Sequence, residues 1–297
     1  MIPAFKEKPM SINLISKPII DQELESLKIR CNKLKKNGII PNLQVLLVGN
    51  NKASKIYTNR KKKFCESFGA KCDIHHLDEN ISVNDFVIEL NKISSAANVH
   101  GAFVQLPLPK HLANLEIEKL IPAEKDVDGF HPFNLFSLLS DNKKNDYFRP
   151  CTPYGVMSLL KYYNISVSGK HAVIIGRSMI VGKPMQMLLT NANATVTLCH
   201  SKTENLSELT QKADIIVSAI GKPNFLNETF IHPSQKNKTV VIDVGINTNQ
   251  DGNLCGDVDF NKVSPLVYAI TPVPGGVGPL TILTLSQNLL QAAEKNI

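Results

Sequence analysis

From residue 43 onward, short runs rich in Val, Ile and Leu alternate with stretches of helical periodicity, and this alternation constrains the chain more than any single residue does. Parallel strands joined by crossover helices produce such a pattern, so the fold class is α/β. In the first half the strand candidates are residues 43–48, 71–75 and 101–106, with helices over 22–36, 53–68 and 83–94; together they form a βαβαβ unit. A second series of strands follows at 171–175, 195–198, 214–219, 239–244 and 267–270. Between the two series, residues 140–153 carry Asp-Asn-Lys-Lys-Asn-Asp and two prolines, a polar stretch suited to a domain boundary near Arg149. Residues 281–295, with leucines at 283, 285, 289 and 290, read as a final helix.

At 297 residues, 43% hydrophobic and 20% charged, the chain is long and apolar enough for two packed domains. It has no apolar run approaching the roughly 18 residues that span a bilayer. Residues 1–10 hold two prolines and no apolar core segment, which argues against a signal peptide and for the cytoplasm. The six cysteines form no C-x-x-C pair and no zinc-ligand spacing, so they read as reduced thiols and no metal site is expected. Lys and Arg number 33 against 26 Asp and Glu, an excess that favours an acidic partner. The basic run Arg60-Lys61-Lys62-Lys63 has no aromatic stacking residues on an adjoining strand and no recognised DNA or RNA motif around it, so nucleic acid is not implied, and no membrane partner is expected.

The segment His171-Ala-Val-Ile-Ile-Gly176-Arg-Ser-Met-Ile-Val-Gly182-Lys-Pro184 runs from a buried strand through a glycine turn into a helix. Such a turn lets backbone amides and the helix dipole approach a pyrophosphate. The usual G-x-G-x-x-G is absent, and a simple tight turn would give the same string. The next strand ends in Cys199-His200-Ser201, where an NAD-preferring site carries Asp or Glu for the ribose 2′-hydroxyl. An acid there would repel a 2′-phosphate; Ser201 does not, and Arg177 offers a guanidinium to it. Taken alone, Arg177 reads equally as a solvated turn residue and Ser201 as a helix cap.

In the first half, Tyr57, Lys61, Phe64 and Phe68 fall on one helical face. Lys61 interrupts an aromatic stripe. Its amine is either desolvated there, which lowers its pKa and makes it a usable base, or carried to water on a snorkelling stem. Gln105, in Val-Gln-Leu-Pro-Leu-Pro after a strand, either holds a catalytic amine or water or caps the strand end. Asp128, before Gly129, is either a turn former or a ligand-binding carboxylate. The loop Thr271-Pro-Val-Pro274-Gly275-Gly276-Val-Gly278-Pro can lay bare backbone against a flat ligand or serve as a connector. No G-x-S-x-G elbow points to a hydrolase triad.

Tyr57-x-x-x-Lys61, Val-Gln105-Leu-Pro-Leu-Pro, Lys-Asp-Val-Asp128-Gly, Arg-Pro-Cys-Thr-Pro-x-Gly155, Gly176-Arg-Ser-x-x-Val-Gly-x-Pro184, Asp243-Val-Gly-Ile-Asn and Pro274-Gly-Gly-Val-Gly-Pro279 occur in one order from about residue 41. Together they resemble the bifunctional methylenetetrahydrofolate dehydrogenase/methenyltetrahydrofolate cyclohydrolase family. The resemblance implies an N-terminal α/β catalytic domain over residues 1–149, a Rossmann-like NADP-binding domain over 150–279, and a helix at 280–297 that returns to the first domain. It implies NADP-dependent oxidation of 5,10-methylenetetrahydrofolate, then hydrolysis of the methenyl cation to 10-formyltetrahydrofolate in the same cleft. Lys61, Tyr57 and Gln105 would be catalytic. Asp128, Tyr57, Pro274, Gly275 and Gly276 would bind the folate. Gly176, Arg177, Ser178, Ser201 and the backbone at Ile246 would hold the cofactor. The resemblance also implies a homodimer.

Departures from the family pattern are the absence of Asp-Gly within residues 14–22, Phe136 where glycine is usual, and a long connector at 140–148. They bear on the hinge and on N-terminal packing rather than on the chemistry. An NAD-preferring monofunctional dehydrogenase of the same fold is the nearest alternative, opposed by Arg177 and Ser201 on cofactor choice and by Lys61 and Gln105 on hydrolysis. A non-catalytic nucleotide-binding module is the other.

Overall fold

A computed structural model of the chain describes residues 11–141, 146–235, 237–249 and 252–295. The expectation about a signal peptide falls on residues 1–10, outside the described ones. The first elements are β1 (Ile12–Asn13), α1 (Lys17–Lys36), β2 (Asn42–Val48), α2 (Lys52–Ser67), β3 (Lys71–Leu77), α3 (Val83–Ser95), β4 (Gly101–Val104), α4 (Ile117–Leu120) and α5 (Pro132–Leu139). Then come α6 (Cys151–Tyr162), β5 (His171–Ile175), α7 (Gly182–Asn191), β6 (Thr195–Cys199), α8 (Leu206–Gln211), β7 (Ile215–Ser218), β8 (Val240–Asp243), β9 (Asn247–Thr248), β10 (Leu254–Cys255), α9 (Phe260–Val263), β11 (Ala269–Ile270) and α10 (Val277–Glu294). The α/β class read from the alternating pattern is the fold observed. None of the described helices is long and apolar enough to cross a membrane.

The chain divides into two compact units, one of Pro18–Gly155 with Leu280–Ile297, the other of the residues up to Lys17 with Val156–Pro279. In the first unit the sheet is parallel in the order β3-β2-β4. Every residue of β2 is buried, as expected for a central strand covered on both faces. The helix α10 returns to this unit and packs onto it. Asn288 Nδ2 donates to the carbonyls of Val127 (2.9 Å) and Arg149 (3.0 Å), and Arg30 makes a paired contact with the Glu294 carboxylate at 2.8 and 2.9 Å. The polar reading of residues 140–153 holds only in part. Tyr147, Phe148 and Cys151 are buried, because Phe148 N–H is drawn to the Asn134 side chain and α6 already begins at Cys151. Phe136, the residue in place of glycine, projects its ring outward at 68% exposure.

The second unit holds a sheet in the order β1-β11-β8-β7-β5-β6, with every pairing parallel. The apolar runs at β5, β7 and β8 are buried almost throughout, the signature of parallel strands with helices on both faces. Two segments depart from the sequence expectation, which places residues 1–149 together and 150–279 apart from them: residues 150–155 group with the first unit, and residues 11–17 with the second. β1 pairs with β11 as the edge strand of this second sheet, with Ile12 N–H donating to Tyr268 O and Leu14 N–H to Ile270 O. A strand of two residues carries too little alternation to be seen in sequence.

Candidate active site

The helical face that matters on α2 is set by Ser54, Thr58, Lys61 and Cys65, which are buried, while Tyr57 and Phe64 are only half-buried. The sequence reading put Lys61 in an aromatic stripe. The structure keeps Lys61 and Phe68 on the inner face, but along that face of α2 the buried residues beside the lysine are small. Small side chains let neighbouring elements approach closely, and Cys65 Sγ lies 4.0 Å from Ser286 Oγ of α10. Lys61 is therefore 4% exposed and does not snorkel. Its amine sits 3.8 Å from the Phe103 ring centroid and 4.9 Å from that of Tyr57. Nζ donates to Gln105 Oε1 at 3.4 Å. Burial pushes the lysine pKa below its ordinary value, and the Asp128 carboxylate opposes that shift.

Gln105 follows β4, where its N–H still donates to Leu46 O at 2.8 Å and its Nε2 donates to Leu106 O at 2.7 Å. That second contact fixes the amide so that Oε1 faces the lysine. The Leu106–Pro107 peptide is cis. Phe103 and Gln105 are two apart on an extended segment and so lie on one face. The period-2 rule could have added Phe103 to the candidates; the sequence reading missed it.

Asp126 and Asp128 divide their work. Asp126, 4% exposed, accepts from His131 N (2.6 Å), Asn134 Nδ2 (2.8 Å) and Gly129 N (3.2 Å), and burial raises its pKa to about 7. The turn former is thus Asp126, which leaves Asp128 half-buried with its charge felt at Lys61, Tyr57 and Cys151. Gly129 has φ +84°, and a Cβ there would strike the Arg149 carbonyl carbon at 2.6 Å. Burial and Asp128 hold the Tyr57 phenol well above its usual pKa, and its hydroxyl meets Thr281. Thr281 Oγ1 lies 3.0 Å from Thr152 Oγ1. The two threonines extend a line of hydroxyls from Tyr57 that no local sequence signal announces. In this unit, then, Tyr57, Lys61, Gln105 and Asp128 come together from α2, the end of β4 and the turn before α5.

The other candidates lie in the second unit, on the loops at the carboxyl ends of its parallel strands. The strand order reverses between β5 and β7, and ligands of open α/β sheets bind at such a switch point. Gly176 follows β5 with φ +120°, and a Cβ there would collide with the carbonyl oxygen of Ala219 after β7. Arg177 and Ser178 are exposed in the following turn, and Ser178 Oγ accepts from Val181 N at 3.1 Å. Ser201 is exposed in the turn after β6, whose last residue, Cys199, accepts from Gly176 N–H at 2.9 Å, so the two turns are neighbours. A bare glycine backbone, an exposed guanidinium and a neutral hydroxyl at adjoining strand ends suit a dinucleotide with a 2′-phosphate. Ile246 is 59% exposed after β8. Pro274, Gly275 and Gly276 follow β11: the Val273–Pro274 peptide is cis, Gly275 O accepts from Ser16 Oγ at 2.8 Å, and Gly276 N–H returns to Pro272 O at 2.9 Å. Among the described residues no group of three His, Cys, Asp or Glu side chains could hold a metal ion, and all six cysteines are free thiols.

Residues 14–128 match the family model of the tetrahydrofolate dehydrogenase/cyclohydrolase catalytic domain, and residues 150–297 that of its NAD(P)-binding domain. The bifunctional protein FolD of Campylobacter concisus is 50% identical over 92% of this chain and 94% of its own length. That of Bacillus mycoides is 44% identical over 93% and 94%. Among solved structures, the bifunctional FolD methylenetetrahydrofolate dehydrogenase/cyclohydrolase of Campylobacter jejuni superposes with a TM-score of 0.91 at 45% identity, covering 97% of this chain and all 100% of that one. The Trypanosoma brucei N5,N10-methylenetetrahydrofolate dehydrogenase-cyclohydrolase, complexed with NADP cofactor and inhibitor, does so with a TM-score of 0.89 at 30% identity, over 97% and 99%.

Proposed function

The chain belongs to the tetrahydrofolate dehydrogenase/cyclohydrolase family, and on that premise we propose that it oxidises 5,10-methylenetetrahydrofolate with NADP+ and hydrolyses the methenyl product to 10-formyltetrahydrofolate. The single observation that carries the hydrolytic half is the buried Lys61 amine beside Gln105. Water attacking an already cationic carbon must lose a proton. A neutral amine accepts it, and both burial and a nearby substrate cation favour the neutral form. Lys61 Nζ takes that proton as the C–O bond forms and returns it to N5 of the folate as the C–N5 bond of the adduct breaks, while the adduct's hydroxyl becomes the formyl C=O and releases its own proton to solvent. Gln105 Oε1 orients the amine. Asp128 accepts hydrogen bonds from the pterin amide and amino groups, and Tyr57 donates one and packs against the ring system.

When bound, NADP+ supplies the hydride acceptor for the oxidation. Arg177 and Ser201 would hold its 2′-phosphate, with Gly176, Ser178 and the backbone at Ile246 along the rest of it. Pro274, Gly275 and Gly276 would present backbone to the folate. The same reading assigns folate chemistry to residues 1–149 with the 280–297 helix, less the segment around β1 that joins the second sheet, and NADP binding to 150–279. It also makes the enzyme a cytoplasmic homodimer, in keeping with its free thiols and the family resemblance.

Purified protein given methylenetetrahydrofolate and NADP+ should develop methenyl absorbance that then decays, with a much slower rise on NAD+. Absence of the rise with either nucleotide would reject the dehydrogenase, and a stable methenyl signal would reject the hydrolase. The NAD-preferring and non-catalytic alternatives have no residue in their favour.

A further inference from the structure

Asp257 is completely buried, at 0% exposure, yet neither the folate chemistry nor the cofactor contacts named above use it. Its carboxylate accepts from the backbone N–H groups of Ile220 (2.8 Å), Gly221 (3.3 Å) and Lys222 (2.9 Å). It also accepts from Asn247 Nδ2 at 2.9 Å and Ser218 Oγ at 3.3 Å. Three consecutive amides converging on one carboxylate form a nest that needs an anion, because without one those donors lose their partner. The amides belong to the loop after β7, and Asn247 to the segment after β8. One side chain therefore ties together two loops at the carboxyl edge of the sheet.

A second carboxylate holds the first in place. Asp243, 3% exposed, accepts from the N–H groups of Asp257, Val258 and Gly245, each at 2.9 Å. Its own N–H donates to Thr271 Oγ1 at 2.7 Å, which brings in the loop after β11. The two acids interlock with two glycines: a Cβ on Gly245 would overlap the Asp257 carboxylate, and one on Gly256 would overlap that of Asp243. Ile246 is thus flanked by Gly245 and Asn247, both held by this pair. On the other side, Ala219, one residue before the nest, presses its carbonyl against Gly176.

We propose that Asp257 is a positioning residue of the nucleotide site: itself fully buried, it gathers the 220–222 amides and Asn247 and so sets the heights of two loops, the one after β7 whose Ala219 carbonyl packs against Gly176 and the one after β8 that carries Ile246. The proposal rests on the reading of this unit as the NADP-binding one. A purely structural acid would weaken everything alike, whereas a positioning acid for this site should separate the two activities, since hydrolysis of methenyltetrahydrofolate can be assayed with no nucleotide present.

The test compares Asp257→Asn and Asn247→Ala with the parent protein. The readouts are the NADP+ Kd and KM, the folate KM, nucleotide-free hydrolysis, thermal melting and amide exchange at 220–222. Asp257→Asn puts an amide NH2 among donors. It should raise the NADP+ Kd and KM by about tenfold or more and speed exchange at 220–222, with folate KM and hydrolysis within about twofold. Asn247→Ala, which spares the carboxylate, should raise the NADP+ KM by about threefold. Faster exchange with unchanged NADP+ affinity in Asp257→Asn overturns the proposal while leaving the cofactor reading intact. If Asp257→Asn melts without cooperativity, Asn247→Ala decides, and normal NADP+ affinity there overturns it. Failure of the parent protein to bind NADP+ overturns the cofactor reading itself, and the positioning role with it.

Discussion

The Lys61 amine lies 3.8 Å over the ring of Phe103, two residues before the Gln105 oxygen that accepts its hydrogen bond. One extended segment thus supplies both the apolar wall that desolvates the amine and the polar group that aims it. Desolvation favours the free base while the ring face and Asp128 favour the ammonium. The balance lies on the side of a lowered pKa.

Lys61→Met should cut hydrolysis of methenyltetrahydrofolate by about 10²-fold or more, the usual scale for a general base, while NADP+ still binds. Lys61→Arg should be no better, since a guanidinium stays protonated. In the parent protein the hydrolysis rate should climb with pH through the lowered lysine range and then level. A rate indifferent to Lys61→Met would remove the base from the mechanism.

Arg177 is exposed, so Arg177→Ala should leave the melting temperature unchanged. NADP+ affinity should fall by about ten- to a hundredfold, the worth of one charge-assisted contact, with NAD+ affinity nearly constant. Titrations with both nucleotides check this, and equal losses would mean that the guanidinium does not read the 2′-phosphate.

At Gly176 the backbone has φ +120° and there is no room for a methyl group beside Ala219. Gly176→Ala should therefore push apart the ends of β5 and β7 and reduce NADP-dependent oxidation by about tenfold or more, strain and steric overlap acting together. Nucleotide-free hydrolysis, measured on the same preparation, should persist.

Asp126 gives a stability prediction with a definite sign. Its carboxyl ionises at about 7 in the folded protein, above the ordinary 3.8, so the folded state holds the proton more tightly than the unfolded chain. Its contribution is full below about pH 4 and is lost as pH rises through about 7, up to the order of 4 kcal/mol. Relative to Asp126→Asn, the parent protein should lose melting temperature between pH 4 and 7. A constant difference across that range would show an ordinary carboxyl.

Much of the fold is legible in the sequence because burial leaves a periodic trace. The Val- and Ile-rich stretches at β5, β7 and β8 are central strands, and residues 171–175 are read at their true bounds. β1 leaves no trace, since two residues at a sheet edge cannot alternate. On α2 the aromatic spacing picks out Lys61 and its contact with Tyr57, but the other buried residues of that helix, Ser54, Thr58 and Cys65, are small and polar and do not look like a core face. The family motifs name Tyr57, Gln105 and Asp128, whereas their meeting depends on contacts between distant segments. Asp257 was invisible for a sharper reason. Its partners are mostly backbone amides, which every sequence contains and none advertises.

The last helix has a consequence for how the enzyme is made. Thr281, which meets the Tyr57 hydroxyl, and Asn288, which ties down Val127 and Arg149, both lie on α10, more than a hundred residues beyond the sheet they complete. On the ribosome, every strand of the second sheet has been synthesised by Ile270, while the first still lacks its closing helix. A nascent chain halted near residue 279 would carry the finished strand set of the second unit and a first unit still without its closing helix, so on the proposed division of labour the ability to make formylfolate must wait for the synthesis of α10.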